Sequence, residues 1–67
     1  MTINYTFICA NLTHDFYIAK LGDRRWFTYG VKCGVNPHNT DDRIMAGFTT
    51  KRAATSAAHA WTEWVGV

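Results

Sequence analysis

The pattern of apolar and polar residues changes once along the chain, near residue 48. Before that point apolar side chains recur mostly at every second position, the period of a β-strand, and after it they recur at helical spacing. The predicted strands are Asn4–Ala10, Phe16–Leu21, Trp26–Val35 and a shorter Arg43–Phe48, separated by the turn-forming segments Asn11–Asp15, Gly22–Asp23 and Asn36–Asp42. The pattern predicts an α+β fold in a single domain of residues 1–67, with an antiparallel meander of three or four strands and one C-terminal helix packed on one face.

Alternation within the strands assigns side chains to the two faces of the sheet. In the third strand an apolar set alternates with a mixed set: Phe27, Tyr29, Val31, Cys33 and Val35 against Trp26, Thr28, Gly30, Lys32 and Gly34. We expect the apolar set to face the core and the mixed set to face outward. Tyr5, Phe7 and Cys9 share one face of the first strand. Phe16 and Tyr17 lie on opposite faces of the second, so one of them points away from the helix.

The helix is predicted to run from Lys51 to about Val65. Thr50 is a suitable N-cap because its hydroxyl can accept a hydrogen bond from a free amide of the first turn, and Gly66 is a natural stop. Small alanines in the apolar stripe let the helix lie close to the sheet; the stripe consists of Ala54, Ala57, Ala58, Trp61 and Val65. Lys51 and Arg52 occupy the positive end of the helix dipole, which is mildly unfavourable and brings no evident structural gain.

Length and composition limit the classes of protein to which the chain can belong. With 67 residues, of which 48% are apolar and 15% aromatic, the chain sits near the lower limit for folding on one hydrophobic core. It has no run of about 18 apolar residues that could span a membrane, and its N-terminus lacks the basic and apolar segments of a secretory signal. We therefore expect a cytoplasmic location.

Two cysteines and two histidines form a candidate zinc set with a repeated spacing. Four residues separate Cys9 from His14, and four separate Cys33 from His38. Thiolate and imidazole are the ligands that zinc prefers, but structural sites usually place a cysteine pair in one tight turn. Cys33 also falls on the apolar face of its strand, where a thiol acts as a small hydrophobe. For these reasons we expect no metal site. We also expect two free thiols, because a disulfide between them requires neighbouring first and third strands and an oxidising compartment.

Histidine also supplies the candidates for acid–base or nucleophilic catalysis. His14 adjoins Asp15, His38 lies near Asp41–Asp42, and His59 lies on the helix. The sequence places none of them in a recognisable nucleophile, P-loop, dinucleotide-binding or zinc-protease motif. A domain of this size has little room to enclose a pocket of several hundred cubic ångströms. We therefore expect a non-enzyme without cofactors.

A second class of function is the binding of double-stranded DNA. The segment Gly47–Ala54, with its glycine, aromatic residue, capping threonine and alanine-rich helix start, resembles the strand-to-helix junction of AP2-type and integrase arm-type DNA-binding domains. The resemblance implies a sheet face that contacts the major groove. The candidate contact residues are Lys20, Arg25, Trp26, Lys32, Arg43, Lys51 and Arg52. A net charge of +2 is small for this role, because phosphate contacts supply most of the non-specific affinity.

A third class of function is the binding of another protein, and the aromatic residues favour it. More rings are present than one small core needs, and Trp, Tyr and Arg dominate the energetics of interfaces. The predicted partner-binding residues are Trp26 on the outward face, Arg24, Arg25, Tyr17 and Trp64. The leading hypothesis is a small regulatory protein that contacts a larger protein partner, such as a phage-type inhibitor or anti-defence protein. A homodimer formed through an edge strand or the spare tryptophans is a further option.

Overall fold

The four predicted strands and the helix are present in the order that the sequence pattern indicates. A computed structural model describes residues 3–66. The strands are β1 (Thr6–Ala10), β2 (His14–Gly22), β3 (Arg25–Lys32) and β4 (Ile44–Phe48), and the helix is α1 (Lys51–Trp61); a short 3-10 turn spans Pro37–Asn39. The sheet is antiparallel with strand order β1-β2-β3-β4, and α1 packs against it. The predicted α+β meander is confirmed. Within residues 3–66, no helix has the length and hydropathy that spanning a bilayer requires.

Local hydrogen bonds explain where the elements begin and end. The side chain of Asn11 accepts from the backbone amides of Thr13 and His14, so the first turn is tight and β2 begins two residues earlier than predicted. The β3 strand ends at Lys32 because Gly34 adopts a φ of 84° in the turn that follows. Thr50 caps α1 as predicted, accepting from the amide of Ala53.

The main hydrophobic core lies between α1 and one side of the sheet. Phe16 is fully buried there, with its ring centroid 6.2 Å from that of Trp61. The Thr28 hydroxyl, also fully buried, donates to the carbonyl oxygen of Ala54 at 2.7 Å. The residues of the predicted apolar stripe are all at least partly buried: Ala54, Ala57, Ala58, Trp61 and Val65. The helix ends at Trp61 and not near Val65 as predicted, so Val65 lies in the turn that follows α1.

The orientation expected for β3 is wrong. Thr28 contacts the helix and Gly30 lies under the Phe16 ring, so the mixed set faces α1 and Trp26 lies on the same side. The apolar set of β3, which begins with Phe27, points to the other side. Two small residues fit this side of β3 to the core: Thr28 hydrogen-bonds to the helix at Ala54, and Gly30 leaves room for the Phe16 ring.

Tyr29 and Val31 are nevertheless buried as predicted, at 1% and 0% exposure. Tyr29 is covered from the helix-free side, where the ring of Tyr5 lies 5.0 Å from its own. The guanidinium of Arg43 lies 5.2 Å from the centre of the same ring. The N-terminal segment and the β3–β4 connection therefore form a thin second layer opposite the helix.

Candidate functional site

The side of the sheet that α1 leaves uncovered carries a continuous aromatic surface. We call it the helix-free face and define it by the exposed or partly exposed residues Tyr5, Phe7, Tyr17, Phe27 and Met45, which surround the buried ring of Tyr29. Strand register places these residues together, since Phe7 pairs with Tyr17, Tyr17 with Tyr29, and Tyr29 with Met45. Phe7 is 55% exposed and Met45 is 48% exposed. An apolar surface of this kind is the type that monomeric proteins use for contacts with other molecules.

The rings on the helix-free face hold one another in place. The centroids of Phe7 and Tyr17 lie 5.6 Å apart at an interplanar angle of 75°, and Tyr5 contacts Tyr17 edge-on at 6.2 Å. Phe27 lies 6.3 Å from Tyr29. Edge-to-face pairs of this kind contribute about 0.5–1.5 kcal/mol beyond the area they bury. The face is therefore ordered before any partner arrives, which lowers the entropic cost of binding.

The phenol groups of Tyr17 and Tyr29 are kept neutral by their surroundings, and that of Tyr5 is hydrogen-bonded to Arg43. Burial raises the pKa of the Tyr29 phenol, and the neighbouring Tyr5 raises it further although Arg43 opposes the shift. Burial also raises the pKa of Tyr17, followed by the charge of Asp15. Arg43 donates to the Tyr5 hydroxyl and to the carbonyl of Pro37, both at 3.4 Å. Arg43 thus fastens the β3–β4 connection to the face.

Charged residues are segregated along the direction of the strands. One end of the molecule, the basic end, combines the β2–β3 turn with the β4–α1 junction, which the pairing of Trp26 with Phe48 brings together. It carries five of the seven basic residues: Lys20, Arg24, Arg25, Lys51 and Arg52. The opposite end, the acidic end, carries four of the five acidic residues: Asp15, Asp41, Asp42 and Glu63. Asp23 lies at the basic end, and Lys32 and Arg43 lie at the acidic end, so the two ends carry net charges of +4 and −2 within the total of +2.

A shallow depression lies at the basic end and meets the helix-free face. Its volume is about 200 Å³, and it is lined by Arg24, Arg25, Phe27, Gly47, Phe48 and Thr49. Arg25 and Phe27 project to the same side of β3, because they are two residues apart on one strand. The aromatic surface and the arginine pair consequently form one continuous region.

The structure brings together three of the five predicted partner-binding residues. Tyr17 lies on the helix-free face, and Arg24 and Arg25 lie at its basic end. Trp26 does not face outward as expected: it is half-buried on the helix side, where the Lys20 ammonium lies 5.8 Å from the ring centre. Trp64 is 65% exposed but follows α1 at the acidic end.

The predicted DNA-contacting residues do not share one surface. Lys20, Trp26 and Lys32 lie on the helix side of the sheet, because they alternate with the aromatic positions of β2 and β3. Arg25 and Arg43 lie on the helix-free side. Lys51 and Arg52 begin α1. The basic residues that do lie near one another are those of the basic end, at the margin of the sheet.

The structure separates the members of the candidate zinc set. Cys9 reaches the helix side through a bulge between Phe7 and Cys9, and its thiol lies 3.5 Å from the Ala58 carbonyl oxygen. Cys33 is exposed beyond β3, with its Sγ 3.6 Å from Asp15 Oδ1. His14 stacks on Phe16, whereas His38 packs on Tyr5. Across residues 3–66, no three His, Cys, Asp or Glu side chains form a group suited to a metal ion.

The two thiols differ in their surroundings. Burial raises the pKa of the Cys9 thiol. The pKa of Cys33 is also raised, first by desolvation from the atoms around its sulfur and then by the charge and hydrogen bond of Asp15. The β2 strand lies between β1 and β3, so the condition for a Cys9–Cys33 disulfide is not met.

Sequence reasoning missed most of the helix-free face. It assigned Phe27 to the helix side and gave Phe7 and Met45 no role. One feature of the sequence could have indicated this face: Tyr5 and Phe7 are two residues apart and so lie on the same side of the first strand. The register then places Phe7 opposite Tyr17.

Comparison of the chain with protein-family models, with curated proteins and with solved structures finds no match. The resemblance of Gly47–Ala54 to DNA-binding domains gains no support from these comparisons. The composition and exposure of the helix-free face are therefore the observations that bear on function.

Proposed function

We propose that this chain is a small, non-enzymatic regulatory protein that binds a larger protein partner through its helix-free face. The observation that carries the proposal is the preformed aromatic surface on which Phe7 and Met45 are about half exposed. Burying such side chains against a partner contributes roughly 25 cal/mol for each Å² of apolar surface removed from water. The arginine pair at the margin supplies the polar rim that protein interfaces usually have.

Inhibition is the mode of regulation that we propose, of the kind that phage-encoded inhibitors and anti-defence proteins exert in the cytoplasm. A small domain with an ordered aromatic face is suited to covering a site on its partner. Such inhibitors are often short single domains like this one, which is an analogy of size alone; the exposed aromatic face adds a physical basis for binding.

The test is affinity capture from a nuclease-treated lysate of the native host, with two matched variants. Met45 and Ile44 are neighbours in β4 with similar exposures of 48% and 41%, but they lie on opposite sides of the sheet. Met45→Asp is expected to abolish capture of a protein partner, whereas Ile44→Asp is expected to retain it. Equal capture by the two variants would contradict the proposed surface.

Double-stranded DNA is the second candidate ligand, and the gathering of five cations at the basic end favours it. Binding through phosphates weakens steeply with salt, because each contact releases a counterion. The measurement is retention of random-sequence duplex on a filter at low salt, with Arg25→Ala expected to weaken it. If the wild-type protein retains no duplex at low salt, the DNA candidate fails.

A further inference from the structure

We propose that a second copy of this chain covers the helix-free face, in a two-fold symmetric dimer whose strands run antiparallel across the interface. The acidic end of each copy then lies against the basic end of the other. This inference goes beyond the proposed function. A second copy and a larger partner would occupy the same face and so exclude each other on any one chain, but either binding event can fail alone.

The distribution of charge selects the antiparallel orientation. Asp15 alternates with the helix-facing Phe16 and so lies on the helix-free side, and Asp41–Asp42 belong to the connection that Arg43 fastens there. At the other end of β3 lies the arginine pair Arg24–Arg25. Eight residues of β3 place the two ends about 25 Å apart. Two orientations of a two-fold axis in the plane of the interface are possible. An axis perpendicular to the strands places the acidic end of each copy on the basic end of the other. An axis parallel to the strands places like ends, and so like charges, together.

The dimensions of the chain suit such an interface. The principal extents are 32 × 24 × 15 Å, and the short one is close to the thickness of a helix layer on a sheet. A rectangle that bounds the 32 × 24 Å side has an area of about 770 Å², which is an upper limit for the projected area of the helix-free face. Standard protein interfaces bury about 800 Å² from each partner. The helix-free face is therefore large enough for a stable dimer only if nearly all of it is used, including its charged ends.

The shapes of the two ends also correspond. At the acidic end, the connection that carries Asp41–Asp42 packs on the face through His38 and Arg43, as a second layer over the sheet. At the basic end, the depression of about 200 Å³ is bordered by Arg24 and Arg25 and has Gly47 in its wall. In the antiparallel arrangement the raised acidic connection of one copy faces the basic depression of the other.

Sedimentation equilibrium tests the dimer, with the purified wild-type protein as its own ligand. The average mass is expected to rise with concentration from 7.6 kDa toward twice that value. The dissociation constant should increase several-fold between about 0.1 M and 1 M salt, as the screening length falls from about 10 Å to about 3 Å. A wild-type protein that stays at the monomer mass at every concentration overturns the inference but leaves the capture of a larger partner to its own test.

Charge-reversal variants test the orientation. Arg24→Glu with Arg25→Glu, and separately Asp41→Lys with Asp42→Lys, should each weaken the dimer by ~10-fold or more, because they set like charges together. Mixing the two variants should restore a dimer, since each then supplies the charge that the other lacks. Lys32→Glu and Glu63→Lys are the controls: they change charge at exposed positions outside the face and should leave the dimer unchanged.

Two results overturn the arrangement even if a dimer exists. One is a mixture of the reversal variants that remains monomeric while circular dichroism shows both to be folded. The other is a dimer that survives Met45→Asp but not Ile44→Asp, which would place the contact on the helix side or along the β4 edge.

Discussion

Replacing Gly30 by alanine tests which side of the sheet the helix covers. A methyl group built at Gly30 would lie 3.0 Å from Cε1 and 3.2 Å from Cδ1 of Phe16. Both distances are shorter than ordinary van der Waals contacts. Phe16 is fully buried and packs against Trp61, so its ring has no open space into which it can move. The added methyl must displace the core between the helix and the sheet.

The expected loss follows from two opposing effects. Overpacking of a well-packed core typically costs about 1–3 kcal/mol. Replacing a glycine within a strand recovers about 0.5–1 kcal/mol, because the unfolded chain loses conformational freedom. We therefore expect Gly30→Ala to lower the free energy of unfolding by about 1–2 kcal/mol. At roughly 0.05–0.15 kcal/mol per residue, a domain of this length has only about 3–10 kcal/mol in total.

Urea denaturation followed by circular dichroism measures this change, and Gly47→Ala is the matched control. A methyl at Gly47 would also lie under an aromatic ring, 3.2 Å from Cε2 of Phe27. Phe27 is only partly buried, so a small displacement of its ring toward solvent relieves this contact without loss of its packing on Tyr29, and we expect Gly47→Ala to stay within about 0.5 kcal/mol of the wild type. If Gly47→Ala is damaging and Gly30→Ala is tolerated, the helix lies on the other side of the sheet.

Three further changes test separate parts of the structure. Trp26→Ala should lower the free energy of unfolding by about 2 kcal/mol, because the ring is half-buried on the helix side, and it should leave partner capture unchanged. Thermal melts identical to those of the wild type would show that the Trp26 ring makes no stabilising contact. Thr28→Val should cost about 1 kcal/mol in urea denaturation through loss of the hydrogen bond to Ala54, and no cost would show that the bond contributes nothing. Asp15→Asn should speed alkylation of Cys33 at neutral pH, because loss of the carboxylate lowers the pKa of the thiol and raises its thiolate fraction. An unchanged rate would show that Asp15 does not influence the Cys33 thiol.

The elements of the fold could be predicted from sequence because their signals are local. Alternation marks the strands, and the capping hydroxyl of Thr50 marks the start of α1. The end of α1 was not predicted correctly: the helix ends at Trp61, and Gly66, with a φ of 73°, closes the turn that follows it. The side of the sheet that the helix covers could not be predicted in the same way. The two-residue period of a strand assigns side chains to two faces of the sheet, but it does not indicate which face the helix covers. The covered side is the one on which Thr28 hydrogen-bonds to Ala54 of the helix and Gly30 makes room for the Phe16 ring.

The candidate site was harder to predict because contacts distant in sequence form it. Tyr29 is covered by Tyr5 and Arg43, which lie 24 residues before and 14 residues after it. The bulge between Phe7 and Cys9 moves the thiol to the helix side, and strict alternation cannot reveal it. The basic end also depends on topology, since the pairing of β3 with β4 brings two separate cation pairs to one margin.

The most direct test of the account is photo-crosslinking from the two sides of β4. Benzoylphenylalanine replaces Met45 in one variant and Ile44 in the other, and each variant is irradiated alone and in host lysate. If the helix-free face is the working surface, protein adducts form from position 45, either with a second copy or with a larger partner, and position 44 gives none. Adducts that form from position 44 as readily as from position 45, or from position 44 alone, would contradict the central claim.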